Sequence, residues 1–129
     1  MSWVAGIVVL ALIEYLVFGF MVGHARTKYG VAAPAVTGNA HFERYFRVQQ
    51  NTLEQLVVFI PAIWLYGMYV SSPWAAAIGA VFIIGRVLYA IGYVAAPEKR
   101  SAGFGLSYVA QIVLVVGALY GVVRPLLGR

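Results

Sequence analysis

Arg47, Asn51 and Glu54 follow one another at intervals of four and three residues in the stretch FERYFRVQQNTLEQL. On an α-helix turning about 100° per residue they share an arc of about 60° and form a stripe about 10 Å long. Glu43 and Gln50 extend the same face. Further on, Arg86, Tyr89 and Tyr93 stand at i, i+3 and i+7 and again fall within about 60°. A guanidinium keeps its charge and offers a planar fork of donors that matches carboxylates and phosphates. Two chemistries are open to these stripes. They can pair internally, Glu54 with Arg47 or Arg86, while the tyrosines serve as interfacial anchors. Alternatively they hold a ligand. The charge balance favours the ligand, because Arg26, Arg47, Arg86 and Arg100 outnumber Glu43 and Glu54 in this zone. Guanidinium groups removed from water need anions. The guest should carry more than one anionic group for the arginines and an amine for Glu54. The length of the stripe matches an extended tripeptide, at about 3.3–3.6 Å per residue.

The elements that must position these residues follow from composition. The chain has 129 residues, 63% of them hydrophobic and 10% charged, and its mean hydropathy is +0.88. A water-soluble globule of this size leaves much of its surface exposed and could not hide so much apolar area. Four segments, about 3–22, 53–70, 73–95 and 103–123, approach the roughly 20 apolar residues that cross a bilayer. Short connections predict an all-α, integral membrane four-helix bundle running up and down, in one domain over residues 1–129. The basic run HARTKYG suits the end of the first helix, with Gly30 as its stop. The second helix should begin near residues 41–43, in the interface, and Pro61 within it predicts a kink or one lost backbone hydrogen bond. In SSPW, Pro73 suits the first position of the third helix. GFMVG and GALYG have the small-xxx-small spacing of packed membrane helices.

Net charge is +5, and its placement is informative. Arg26, Lys28, Arg44 and Arg47 lie in or near the first connection, and Lys99 and Arg100 lie in the third. The positive-inside rule puts connections one and three in the cytoplasm and both termini outside. Short loops favour a bacterial inner membrane over the endoplasmic reticulum. Basic residues at the ends of apolar spans mark a membrane pattern and argue against nucleic acid as a partner. The absence of cysteine excludes disulfides and a protein-borne thiol nucleophile. His24 and His41 are isolated, so no metal site is expected. The N-terminal run lacks a basic n-region and is longer than an h-region, so a cleavable signal is not expected. Glu14 stands alone near the middle of the first span. It is either a carboxyl protonated or paired inside the bundle, or a proton relay.

Several ordered motifs resemble one family. FERYFRVQQNTLEQ resembles the second-helix signature of the MAPEG family, the membrane-associated proteins in eicosanoid and glutathione metabolism. GRVLYAIGY followed by EKRSAGF is similar to that family's third helix and the connection after it, and ARTKYGVAAPAVTG to its first loop. The likeness runs from about residue 25 to 106 and is strongest to the microsomal glutathione transferases. It implies a homotrimer binding glutathione between neighbouring protomers at the cytoplasmic side. Arg47, Asn51 and Glu54 would grip the tripeptide with Gln49 assisting, and Tyr89 and Tyr93 would hydrogen-bond it with Arg86 in support. Arg26 would reach it from the end of the first helix, and Arg100 would face the thiol as the catalytic residue. The implied activity is transfer of glutathione to lipophilic electrophiles, with glutathione-dependent reduction of lipid hydroperoxides open to the same thiolate. A non-catalytic protein that binds lipid or another ligand is the alternative. Three positions depart from the family pattern: Gln55 stands in place of a tyrosine, Val57 in place of a proline, and Thr27 in place of an arginine. The last of these argues against leukotriene-forming chemistry.

Overall fold

The computed structural model describes residues 1–128. Four helices follow in order, α1 (Ser2–Tyr29), α2 (Ala40–Tyr69), α3 (Ser72–Ala95) and α4 (Ser101–Leu127), with a 3₁₀ turn at Pro97–Arg100 before α4. All four α-helices are long and apolar enough to cross a membrane. They also outrun the apolar spans that predict them. At about 1.5 Å per residue the 30 residues of α2 measure about 45 Å, against about 30 Å of hydrocarbon. About ten residues of α2 therefore project past the lipid, which is where Glu43, Arg44 and Arg47 belong.

Local chemistry sets the helix ends. Gly30 closes α1 in the left-handed conformation, φ 67°, with Arg26 and Lys28 in the last turn. Asn39 opens α2: its Oδ1 accepts from the backbone N–H groups of His41 at 2.9 Å and Phe42 at 3.0 Å. That cap starts the helix slightly ahead of the expected 41–43. The Glu43 carboxylate accepts from the Gly38 N–H at 3.2 Å and tightens the same entry. Ser71 caps α3 through the Trp74 N–H, with proline in its first turn. The helix α2 runs unbroken through Pro61, which has no N–H to give the preceding turn.

The helix α2 packs against each of the other three, and α3 bridges α1 and α4. Val4 and Ala11 of α1, Phe59 and Ile63 of α2, Phe82 of α3 and Leu114 of α4 form one buried cluster. Within it the Phe59 and Phe82 rings stack at 3.8 Å between centroids. Arg86, Thr52, Ser107 and Gln111 are buried, while Phe20 is 78% and Trp74 66% exposed. Polar groups inside and aromatic groups outside describe a protein whose surrounding solvent is lipid. This is an integral membrane protein.

The closest approach between helices lies where α3 meets α4. A Cβ on Gly85 would come within 2.7 Å of the Ser107 backbone nitrogen, and one on Gly103 would meet the Tyr89 backbone and come within 2.7 Å of the Gly85 carbonyl. A Cβ on Gly92 would collide with the Lys99 carbonyl. These two contacts draw Tyr89 against the start of α4 and fold the 3₁₀ turn, with Arg100, back over the end of α3. The GALYG spacing also serves packing, since Gly117 receives the Tyr66 ring and Gly121 the Tyr69 carbonyl. GFMVG does so only at Gly19, beside Gln49, because Gly23 has open space around it. Replacing Gly103 with valine forces α3 and α4 apart. Thermal unfolding in detergent should show a loss of about 3 kcal/mol for Gly103→Val, whereas Gly23→Val should melt with the wild type.

Candidate functional site

Where α2 emerges from lipid, Arg47 and Asn51 face Tyr89 and Tyr93 of α3, and Arg100, Ser101 and Phe104 close the far wall. Together they line a cavity of about 530 Å³. Aromatic rings set its shape. Tyr89 and Tyr93 lie 5.6 Å apart, Tyr89 and Phe104 6.2 Å apart, and the Arg100 guanidinium lies 5.9 Å from the Tyr93 ring. No acidic side chain is among the lining residues. Ser101 begins α4, so the positive end of that helix adds to the field of the two arginines.

The arginines of this region direct their hydrogen bonds away from carboxylates. Arg86 is fully buried, with its guanidinium 4.3 Å from the centre of the Tyr89 ring. Its Nη1 donates to Asn51 Oδ1 at 2.7 Å and Thr52 Oγ1 at 3.3 Å. Thr52 in turn donates to the Val48 carbonyl at 2.8 Å. The expected alternative, Arg86 paired with Glu54, is therefore replaced by bonds to neutral groups. Arg100 Nη1 donates to the Pro97 carbonyl at 2.7 Å, and Arg26 Nη1 to the Ala35 carbonyl at 2.7 Å. Arg44 Nη1 donates to the carbonyls of Val94 and Ala95, each at 3.2 Å. In this way α2 caps the C-terminal end of α3.

One consequence concerns Asn51. Its oxygen is taken by Arg86, so its amide nitrogen is left to face the cavity as a donor. The cavity thus presents guanidinium, amide and phenol donors together. Such a set recognises carboxylate or phosphate.

The remaining expected residues lie elsewhere on this chain. The Arg26 guanidinium sits 4.8 Å over the Phe42 ring, at the first connection. Gln49 is about 200° around α2 from Arg47, with its Nε2 close to Gly19 of α1. Glu54 lies about two helical turns beyond Arg47 and lines a second cavity of about 320 Å³ with Gln55, Tyr108 and Gln111. Both cavities are walled by α2 and α4, and the stacked rings of Phe104 and Tyr108, 5.6 Å apart, line one each. Ser101 and Phe104 escaped the sequence reading. Both could have been found by continuing one helical turn beyond Arg100. Gln55, a departure from the family pattern, accepts a hydrogen bond from Gln111 and so joins α2 to α4.

Comparison with known proteins adds a second line. The sequence model of the MAPEG family matches residues 4–120. An uncharacterized protein of Synechocystis, sll1147, is 52% identical over 124 residues, which cover 96% of this chain and 90% of that one. Microsomal glutathione S-transferase 2 of Mus musculus is 42% identical over 128 residues, 99% of this chain and 87% of its own length. Leukotriene C4 synthase of Bos taurus is 30% identical over 123 residues, 95% and 82% respectively.

The amide pair between α2 and α4 generates a prediction of its own. Removing one partner strands the other, so Gln55→Leu and Gln111→Leu should each cost about 1 kcal/mol. Replacing both should return the melting temperature close to wild type, read by thermal unfolding in detergent.

Proposed function

The chain belongs to the MAPEG family, and from that premise we propose that it is a membrane-bound glutathione transferase acting on lipophilic electrophiles. The observation that carries this reading is the cavity lined by Arg47, Asn51, Tyr89, Tyr93 and Arg100, where donors converge and no acid is present. Glutathione supplies what this cavity lacks: two carboxylates, an amine and a thiol on an extended tripeptide. Arg47, the Asn51 amide nitrogen and the two phenols hold a carboxylate end. Glu54, about 10 Å further along α2, takes the amine.

Arg26 and Gln49 lie on the opposite flank of α2 and reach a cavity of this kind only on a neighbouring copy. We therefore assign the site to the junction between protomers of a homotrimer, each a single domain. The overhang of α2 and the basic first and third connections support a cytoplasmic position for this end, where glutathione is dissolved. Connections as short as residues 70–71 fit a bacterial inner membrane. No nucleic acid and no metal enters the scheme.

Arg100 stabilises the reacting sulfur. A free thiol has a pKa near 8.5, and only the thiolate is a strong nucleophile. A guanidinium beside it favours the anion, and each pKa unit of lowering corresponds to about 1.4 kcal/mol. To reach the sulfur, Arg100 leaves the Pro97 carbonyl and turns inward. The thiolate then attacks an electrophile arriving from the bilayer. With a chloro-nitroaromatic a carbon–sulfur bond forms and chloride leaves. With a lipid hydroperoxide the sulfur takes the terminal oxygen, the lipid alcohol leaves, and a second glutathione releases water and forms the disulfide.

The bond from Arg100 to Pro97 also favours a second reading, in which the ligand is held without reaction. Two measurements separate these readings. By calorimetry on detergent-solubilised protein, Arg47→Ala should weaken glutathione at least tenfold, about 1.4 kcal/mol; equal affinity overturns the site. By single-turnover mixing with a chloro-nitroaromatic, Arg100→Ala should slow product formation roughly a hundredfold with a smaller effect on affinity. A wild type that binds glutathione yet forms neither thiolate nor product is a binding protein.

A further inference from the structure

Glu14 is the one acidic residue within α1. It lines an apolar groove of about 690 Å³ between α1 and α3, beside Ile83, Val87 and Ala90. Both its carboxylate oxygens are buried and without a hydrogen-bond partner. Arg86, across the helix pair, has the matching deficit: its Nε and Nη2 are buried and unpartnered, while its Nη1 is held by Asn51 and Thr52. Buried polar atoms without partners are rare. Two such deficits of opposite charge stand on the packed helices α1 and α3 with no direct bond between them.

The register of α3 makes the arrangement directional. About 40–60° to one side of Arg86 lie Ile83 and Ala90, which wall the groove; about 60° to the other lies Tyr89, which walls the polar cavity. Arg86 is thus the partition between a lipid-side groove and a water-side cavity. Glu14 shares the groove with Ile83 and Val87, which stand three positions before and one position after Arg86 on α3. A buried guanidinium without a counter-ion would compete for whatever anion entered the neighbouring cavity.

We propose that Glu14 is a positioning residue of the glutathione site, the counter-ion of Arg86, and that through Arg86 it holds Asn51 with its amide nitrogen turned into the cavity. This rests on the function proposed above. It also revises the charge count: Arg86 is neutralised from the lipid side, so Arg47 and Arg100 supply the cavity's positive charge.

The test is a double-mutant cycle on glutathione affinity, measured by calorimetry with the full-length protein in detergent. Glu14→Gln keeps the shape and removes the charge. It should weaken glutathione roughly tenfold, and it should have less than a twofold effect when Asn51→Ala is already present. Glu14→Asp, which keeps the charge, should restore affinity to within about threefold of wild type. Unchanged affinity in Glu14→Gln overturns the proposal. So does an equal loss in both backgrounds, which would mean a general loosening of the bundle. If Glu14→Gln does not fold, the same cycle run with Glu14→Asp decides, since its smaller loss must also vanish beside Asn51→Ala. Failure of the wild type to bind glutathione overturns the proposed function itself, and this inference with it. Binding by the wild type and by Glu14→Gln alike sinks only the inference.

Discussion

A guanidinium shut away from water governs this molecule. Arg86 is buried among hydrocarbon side chains, and its bonds to Asn51 and Thr52 decide how α2 and α3 face one another. A buried cation is too costly to tolerate freedom in its surroundings. Asn51 must present its oxygen inward, Thr52 must turn its hydroxyl to both Arg86 and Val48, and Tyr89 must lay its ring beside the charge. The neighbouring cavity inherits its donors from these constraints. The donors that line the cavity are then a by-product of satisfying one internal charge.

Glycine makes the arrangement possible. Tyr89 and Arg100 stand eleven positions apart on either side of the α3–α4 connection, and they share a cavity because α3 and α4 touch backbone to backbone at Gly85 and Gly103. Gly92 admits the Lys99 carbonyl and brings the 3₁₀ turn over the end of α3. Binding chemistry resides in the charged side chains. Their mutual distances are set by positions with no side chain at all.

How much of this could be read beforehand depends on the range of the interaction. The four spans were legible because lipid imposes a length and a composition on each helix separately. The start of α2 to within a residue or so, the Gly30 stop and the Pro73 start were legible because they are local. The grouping of Arg47 with Asn51, and of Tyr89 with Tyr93, follows from helical periodicity. Periodicity is blind to what lies between helices, however. It placed Glu54 on one stripe with Arg47, although α4 sets Glu54 in a cavity with Tyr108 and Gln111. It counted Arg44 as a loop charge, although Arg44 closes the end of α3 from across the bundle. It could not choose the orientation of the Asn51 amide, which depends on a residue 35 positions away. The small-residue pairs it singled out missed Gly85 and Gly103, because that contact joins two helices and has no spacing within either.

The bond from Arg44 to the last carbonyls of α3 has a consequence for how the protein meets its surroundings. Bilayers differ in thickness, and helices answer by tilting. Most pairs of spanning helices would slide or splay as they tilt, and any pocket between them would change shape. Here the first turns of α2 and the terminus of α3 are tied together outside the apolar run of α2. The tether acts as a strap at the rim: the bundle can lean with its host while the gap between Arg47 and Tyr93 keeps its width.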